Sequence, residues 1–582
     1  MNILTPLLRT ELLSDPGNEK VIKELLYYDQ LHSEKYRDKD QTLEHSCYTQ
    51  SVNFGSDTLH QDKVYDALVN QRFLPAGRIQ AALGAVEREV SPFNCAVSQK
   101  IEDNMRSIMD GLSNAAMILR LGTGIGFNFS HLRPKGDLIV KLQTEASGPL
   151  SFARMYDVMA STIASSGHRR GAMMLILNVD HPDIEAFIDA KMEKGAYRQF
   201  NLSVGVTDKF MDAVRTNSMF YLKFEGKIYK QINARDLWNK ILTNAYNSAE
   251  PGIIFIDRLN QDNNLKYCET IEATNPCAEQ PLPPYGLCTL GSFNLPTYLK
   301  YTPSGTVFDY EVFRRDIRVF VEAYDNIFDK AIYAIPEHRK EALNKRRIGL
   351  GFTGISTCIE LLLGRASYGE RDFCDHLDTM CEVLRYEAYL QSVRLAKERG
   401  AFPLFTDEYL NSPYIQKLPA HIQDQIRRFG IRNSHLISFA PCGTISQCAG
   451  NVSSGVEPIF YHSVNRKVHM KSGLEDVTLS DYAYRNYGFK GKTLEECSIE
   501  DHLSVAEVIQ AYTDSAVSKT VNVASSCTYE EYKDIYNKAF GIGLKGITVF
   551  RPTELRGAVI TKAEDKPIEE QFSSCTNGVC SL

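Results

Sequence analysis

The chain has no CxxC pair, no apolar run approaching the roughly 20 residues that span a bilayer, no excess of positive charge, and no internal repeat or low-complexity block. Each absence closes a class. Without closely paired cysteines, a zinc ribbon or thioredoxin-type site has no support, and no metal-ligand set is expected. Without an apolar span, and with an amino terminus, MNILTPLLRTELLSDPGNEK, that is acidic and broken by Pro, neither membrane anchor nor secretory leader is expected. The chain reads as cytoplasmic. With 65 Lys+Arg against 72 Asp+Glu and a formal net charge of −7, it is not built to coat nucleic acid or anionic lipid, so neither is expected as a direct partner. Fourteen cysteines in 582 residues are too few for a disulfide scaffold, and each taken alone is most simply a small buried hydrophobe.

What is present is a globular composition, 43% hydrophobic and 24% charged, in a chain too long for one small core. Residues 1–90 read as a mostly helical region, with Ser14-Asp15-Pro16 capping the stretch KVIKELLYYDQ. From Asn104 to Leu121, residues Met105, Ile108, Met109, Leu112, Ala116 and Leu119 recur at helical spacing and stop at Gly122. Short apolar runs follow at Met174–Leu177, Phe220–Phe224, Ile253–Ile256, Ile437–Ala440 and Ile547–Phe550, separated by helical patterns such as Ile184–Lys194 and Ala234–Ala249. This alternation predicts an α/β barrel over 91–554. Residues 555–582 are charged and aperiodic and read as a flexible tail.

Gly349-Leu350-Gly351-Phe352-Thr353-Gly354 fits GxGxxG, with Asp372 about twenty residues on, and alone would suggest a dinucleotide-binding dehydrogenase. It lies in mid-chain after the basic EALNKRRIG, so tight strand-to-helix packing is the better account. GTGIG (Gly122–Gly126) has the wrong glycine spacing and reads as the cap before an FNF strand. The informative stretch is TNPCAEQPLPPYGLCTLGSFNL (Thr274–Leu295). It sets an amide, Asn275, a thiol, Cys277, and a carboxylate, Glu279, at alternate positions, which in extended backbone fall on one side.

That stretch closely resembles the active-site loop of ribonucleotide reductase large subunits, and the resemblance runs along most of the chain. LPAGRI (Leu74–Ile79), NCAV (Asn94–Val97), PGIIFIDRLNQDNNL (Pro251–Leu265), NPCAEQPL (Asn275–Leu282), CTLGSFNL (Cys288–Leu295), RRIGLGFTG (Arg346–Gly354), APCGTIS (Ala440–Ser446) and SSGVEPIF (Ser453–Phe460) follow the family's order. The resemblance implies a ten-stranded α/β barrel of two five-stranded halves with an inner finger loop. It implies a thiyl radical at Cys277, a general base in Glu279, a hydroxyl-binding amide in Asn275, and a reducing thiol pair in Cys95 and Cys288. A thiyl suits the task because S–H and ribose C–H bonds are comparable in strength. Substrate contacts are expected from Asn94, Gly124 and the segment Cys442, Gly443, Thr444, Ile445 and Ser446, where backbone N–H groups would cradle a diphosphate. The family usually has Ser or Thr at Cys442, so a side-chain hydroxyl contact is lost there.

By the same resemblance, Asp103–Leu121 matches a dimer helix, implying a homodimer, and HLRPKG (His131–Gly136) and SSGHRRGAMM (Ser165–Met174) match two effector loops. Asp103 and Arg133 would bind a deoxynucleoside triphosphate or ATP effector, with His168, Arg169 and Arg170 relaying its identity. The family's optional amino-terminal ATP cone is not expected. Cys575 and Cys580 in CTNGVC would shuttle electrons from thioredoxin or glutaredoxin to the buried thiol pair. Members that take their radical from a second subunit carry a Tyr-Tyr pair in a late strand; here that strand reads KGITVFRP, with Val549-Phe550. Together with the short loop between Cys277 and Cys288, this resembles the adenosylcobalamin-dependent branch. The two-subunit catalytic chain is the alternative, the carboxyl terminus lacks a glycyl-radical motif, and a non-catalytic nucleotide-binding regulator has no need of the tail cysteines.

Overall fold

A computed structural model describes residues 19–38, 40–164, 172–193, 195–470 and 473–552. Ten strands form one sheet: β1 (Phe73–Pro75), β2 (Cys95–Val97), β3 (Gly124–Asn128), β4 (Met173–Asn178), β5 (Phe200–Val206), β6 (Gly252–Phe255), β7 (Leu287–Asn294), β8 (Ile348–Thr353), β9 (Thr520–Asn522) and β10 (Gly546–Phe550). Strands β2 to β6 are all parallel neighbours in chain order. The second half begins with β7 parallel to β8. Its next member is the irregular segment 435–439, where Ser438 N donates to Leu350 O at 3.0 Å and Leu350 N donates to Leu436 O at 2.9 Å. Phe439 N then donates to Ala516 O at 3.2 Å, and that chain runs on into β9, which is parallel to β10. Antiparallel pairs β2/β7 and β6/β10 join the halves.

Two five-stranded parallel halves therefore close on one another through backbone bonds, as the resemblance implied. Strand β1 stands outside the ring, paired only to the far end of β7. Both faces of the sheet are covered, so the strands are buried at nearly every position rather than at alternate ones. In β4, Met173, Leu175 and Leu177 face the helices in the large outer core, while Met174 and Ile176 join Val97, Ile254, Ala273 and Leu282 inside the ring.

The helices that matter below are α1 (Glu19–Tyr36), α2 (Met105–Arg120), α3 (Pro149–Ala164) and α4 (Gly443–Cys448). Helix α2 starts where Asn104 accepts from Ser107 N at 2.9 Å and ends at Gly122, whose φ of +84° the absent Cβ permits. Its buried stripe is not the expected one. Ile108, Gly111, Ala115, Ile118 and Leu119 are buried, whereas Met105 and Met109 are 60% and 41% exposed. The small Gly111 lets α3 approach so closely that a Cβ there would press on Ile101 and the Tyr156 hydroxyl, and this turns the methionine face outward.

Other sequence expectations are corrected. GTGIG is not merely a helix cap, because β3 begins at Gly124 itself. Phe220–Phe224 belongs to a separate hairpin, Met219–Phe224 with Lys227–Asn233, whose first strand alternates strictly between exposed and buried, as in a one-sided ribbon. The helix expected over Ile184–Lys194 spans Ile184–Asp189. Ile437–Ala440 forms only isolated bridges. GLGFTG is β8 itself followed by Gly354 at φ +72° and a helix over Ile355–Leu363, a strand-to-helix turn in the second half; Asp372 pairs with Arg365. The Ser14 cap, His168, Arg169, Arg170, Cys575 and Cys580 lie outside the described residues. No described helix is long and apolar enough to cross a membrane.

Candidate active site

The stretch between β6 and β7 enters the ring as a narrow hairpin, Ala273–Thr274 against Pro281–Leu282. Its tip is a tight turn. Asn275 N donates to Gln280 O at 3.1 Å, the Asn275 side-chain oxygen accepts from Gln280 N at 2.9 Å, and Ala278 N closes on Asn275 O at 3.0 Å. Ala278 takes φ +65°, an uncommon conformation for a residue with a Cβ, held here by bonds on both sides.

Both halves of the ring grip this loop. From the first, Asn128 donates to Glu272 O at 2.7 Å and Asn201 to Pro276 O at 2.9 Å. From the second, Ser438 Oγ and Ala516 N reach Glu279 O at 2.9 and 3.0 Å. Glycines in β3 make the approach possible: a Cβ on Gly126 would overlap the Thr274 carbonyl, and one on Gly124 would stand 3.1 Å from the Pro276 ring. Gly126→Ala is accordingly expected to destabilise the fold by about 2–3 kcal/mol and to displace the loop, because the obstacle is backbone. Gly124→Ala meets a ring that can shift and should cost less. Thermal unfolding and activity of the two variants check this; equal behaviour would refute the account.

The turn delivers the expected residues to one place. Asn275 Nδ2 donates to Cys95 Sγ at 3.0 Å, and the Cys95 thiol points at Glu279 Oε1 at 3.7 Å. The other Glu279 oxygen is buried with no hydrogen-bond partner among the described residues, open to a ligand hydroxyl. Burial pushes the Glu279 carboxyl up to about 7, partly opposed by hydrogen bonds from Asn275 and Cys95. Cys95 and Cys288 are Cα partners in the antiparallel pair β2/β7, a relation that places Cα atoms about 4.5–5.5 Å apart, inside the range a disulfide requires. Both are buried and in the thiol form. Burial drives the Cys288 thiol well above its ordinary range, against the pull of the Arg347 guanidinium. Cys277 lines the cleft and is only half-buried.

Asn94, Gly124, Cys442, Gly443, Thr444 and Ile445 also line this cleft. Ser446 does not: its hydroxyl turns back to donate to Gly443 O at 2.9 Å in the first turn of α4. The Cys442 sulfur turns away too, lying 3.1 Å from Ser292 Oγ and 3.4 Å from Ala440 O, so it ties α4 to the barrel wall. Burial raises that thiol to about 11. Lys35 and Tyr36 at the end of α1, and Arg78 of LPAGRI, complete the cleft and escaped the sequence reading. Arg78 lay in a quoted motif without a role; nothing local marks Lys35. Asp103 and Arg133 meet, Arg133 Nε donating to Asp103 Oδ2 at 2.6 Å and its backbone N to Oδ1 at 3.1 Å.

The arrangement offers an accessible thiol, a carboxylate that titrates near neutrality, an orienting amide and a closely spaced buried thiol pair. A family described as ribonucleotide reductase, barrel domain, matches residues 93–550. A vitamin B12-dependent ribonucleoside-diphosphate reductase of Mycobacterium tuberculosis (strain CDC 1551 / Oshkosh) is 35% identical over 511 residues, 83% of this chain and 71% of that protein. The protein so named in Thermoplasma acidophilum is 34% identical, over 81% of this chain and 63% of its own length. A vitamin B12-dependent ribonucleotide reductase of Streptomyces clavuligerus is 27% identical, over 78% of this chain and 56% of its own.

Proposed function

Because the chain belongs to the ribonucleotide reductase family, we propose that it converts ribonucleoside diphosphates to 2′-deoxyribonucleotides through a radical on Cys277, with adenosylcobalamin as cofactor. The observation that carries the reading is the meeting of Cys277, Glu279, Asn275 and Cys95 around one cleft, with Cys288 buried beside Cys95 as its cross-strand partner. Cys277 would take a hydrogen atom from the ribose and later return it. Asn275 would hold the substrate hydroxyls, and Glu279 would accept the 3′-hydroxyl proton through its unbonded oxygen while the 2′-hydroxyl leaves as water. Cys95 and Cys288 would supply two electrons and two protons and emerge as a disulfide. The backbone of Gly443–Ile445, with Lys35 and Arg78 beside it, would hold the diphosphate.

Adenosylcobalamin supplies, when bound, the organic radical that oxidises the cysteine. The donor set fits such a group: Cys277 lines the cleft and is only half-buried, while the other two thiols are shut in. In β10, Val549 and Phe550 are both buried, and neither ring nor side chain there can pass an electron and a proton together as a tyrosine would. The test is deoxynucleotide formation by the purified chain under reducing, anaerobic conditions. Turnover is expected with adenosylcobalamin and absent without it. A requirement for a second protein subunit would overturn the cofactor assignment in favour of the two-subunit class.

Specificity control is proposed at Asp103 and Arg133, with His168, Arg169 and Arg170 as the relay, and a deoxynucleoside triphosphate as ligand. The outward methionine face of α2, with Met155 and Val158 of α3 exposed beside it, supports a homodimer contact there. Cys575 and Cys580 are proposed to carry electrons from thioredoxin or glutaredoxin, since Cys95 and Cys288 are closed to a bulky reductant.

A further inference from the structure

The loop that follows β3 is fastened residue by residue. Ser130 Oγ accepts from Asn178 N at 2.7 Å, Leu132 O accepts from His181 Nε2 at 2.9 Å, and Arg133 is held by Asp103. Its remaining member, His131, reaches a different part of the molecule: Nε2 lies 3.0 Å from Glu272 Oε2. Glu272 is the residue immediately before the hairpin that carries Cys277, and its backbone carbonyl is already held by Asn128 at the end of β3. The side chain therefore sets the second of two constraints on the loop's root. Burial raises this carboxyl, but the hydrogen bond and charge of His131, and the more distant Lys100 ammonium, outweigh it and hold it below its usual range. The two side chains are 31% and 30% exposed, so the contact can break and reform without opening the core.

We infer that His131 and Glu272 form a positioning pair through which a ligand on the loop 131–136 acts on the finger loop, setting how Cys277 is presented to the cleft. The inference rests on the reading of that loop as an effector site. A ligand drawn to Arg133 must share or displace Asp103, and His131 lies two residues away on the same backbone. A shift there changes the bond to Glu272 at once, and five residues on from Glu272 is Cys277. The coupling needs no movement of the barrel strands.

The test uses the full chain with adenosylcobalamin and each of the four common deoxynucleoside triphosphates in turn. Two quantities are read: the triphosphate dissociation constant by equilibrium dialysis, and the ratio of turnover with effector to turnover without it. In His131→Gln, in Glu272→Gln and in the double variant, the ratio is expected to fall about fivefold or more while the dissociation constant stays within about twofold of the parent, and the double variant should lose no more than either single. A merely structural role would lower both turnovers together and leave the ratio unchanged, and that result would overturn the inference, as would additive losses. Should Glu272→Gln fail to fold, His131→Gln on the half-exposed loop decides alone. If the parent chain binds no deoxynucleoside triphosphate, the effector reading itself fails, visibly before any substitution is made, and this inference falls with it.

Discussion

Replacing Cys277 by serine is expected to lower deoxynucleotide formation by at least about 10⁴-fold while substrate and effector affinities stay unchanged. The substitution alters one atom at the tip of a turn whose geometry is fixed by hydrogen bonds among Asn275, Ala278 and Gln280. What changes is chemistry. An O–H bond is much stronger than a ribose C–H bond, so an oxygen at this position cannot be oxidised to a radical that the substrate would then regenerate. Cys95 and Cys288 remain in place and remain oxidisable, so the variant separates initiation from reduction. Quantifying product per enzyme over many hours measures the residue's role; turnover within tenfold of the parent would remove Cys277 from it.

The second large effect lies in pH. With Glu279 raised from an ordinary 4.5 to about 7, the folded chain keeps a proton in that interval which the unfolded chain has already released. Stability from this group is therefore complete in acid and is lost as pH climbs from about 4.5 to 7, by about 3 kcal/mol in all. Activity should run the opposite way, because only the charged carboxylate can accept a proton: turnover should rise tenfold per unit on the acid side and level off above about 7. Glu279→Gln should lose about 10²–10⁴-fold in rate, flatten the acid limb and remove the fall in stability across the same interval. Rate profiles and chemical denaturation at pH 5 and 8 for both proteins supply the check. A parent profile flat between pH 6 and 8 would place the proton acceptor elsewhere.

The candidate site residues were legible because they lie close together on a single loop; Asn275, Cys277 and Glu279 do converge, through the tight turn at Ala278 and not through the extended backbone that their alternation suggested. The partner of Cys288 was legible only through the family resemblance. Nothing local to Cys95 sets it apart from the other buried cysteines, and the antiparallel register that brings the two together joins the ends of the two halves. The ring was readable where strands are apolar on both faces, as in β4, and the run Ile437–Ala440 was legible as a barrel member although it bonds to its neighbours on either side without regular strand geometry. Lys35 failed for a different reason. It enters the cleft because α1 packs across the barrel end, a tertiary fact with no imprint in the surrounding letters. The methionines of α2 misled because spacing reports that a face is apolar, not which of two apolar faces turns inward.

The ring is shut by β10, which pairs with β6 so that Ile547 lies opposite Ile253. On a ribosome the five strands of the first half emerge first, and the finger loop follows at once, before any strand of the second half. Pairings between residues so far apart in the chain are slow to form, and an unpaired strand edge invites the wrong neighbour. From the emergence of the finger loop until β10 follows, the nascent chain therefore carries two open sheet edges with the Cys277 thiol exposed between them. Cys277, the residue proposed to carry the radical, thus waits for the last strand of the ring before its shelter closes.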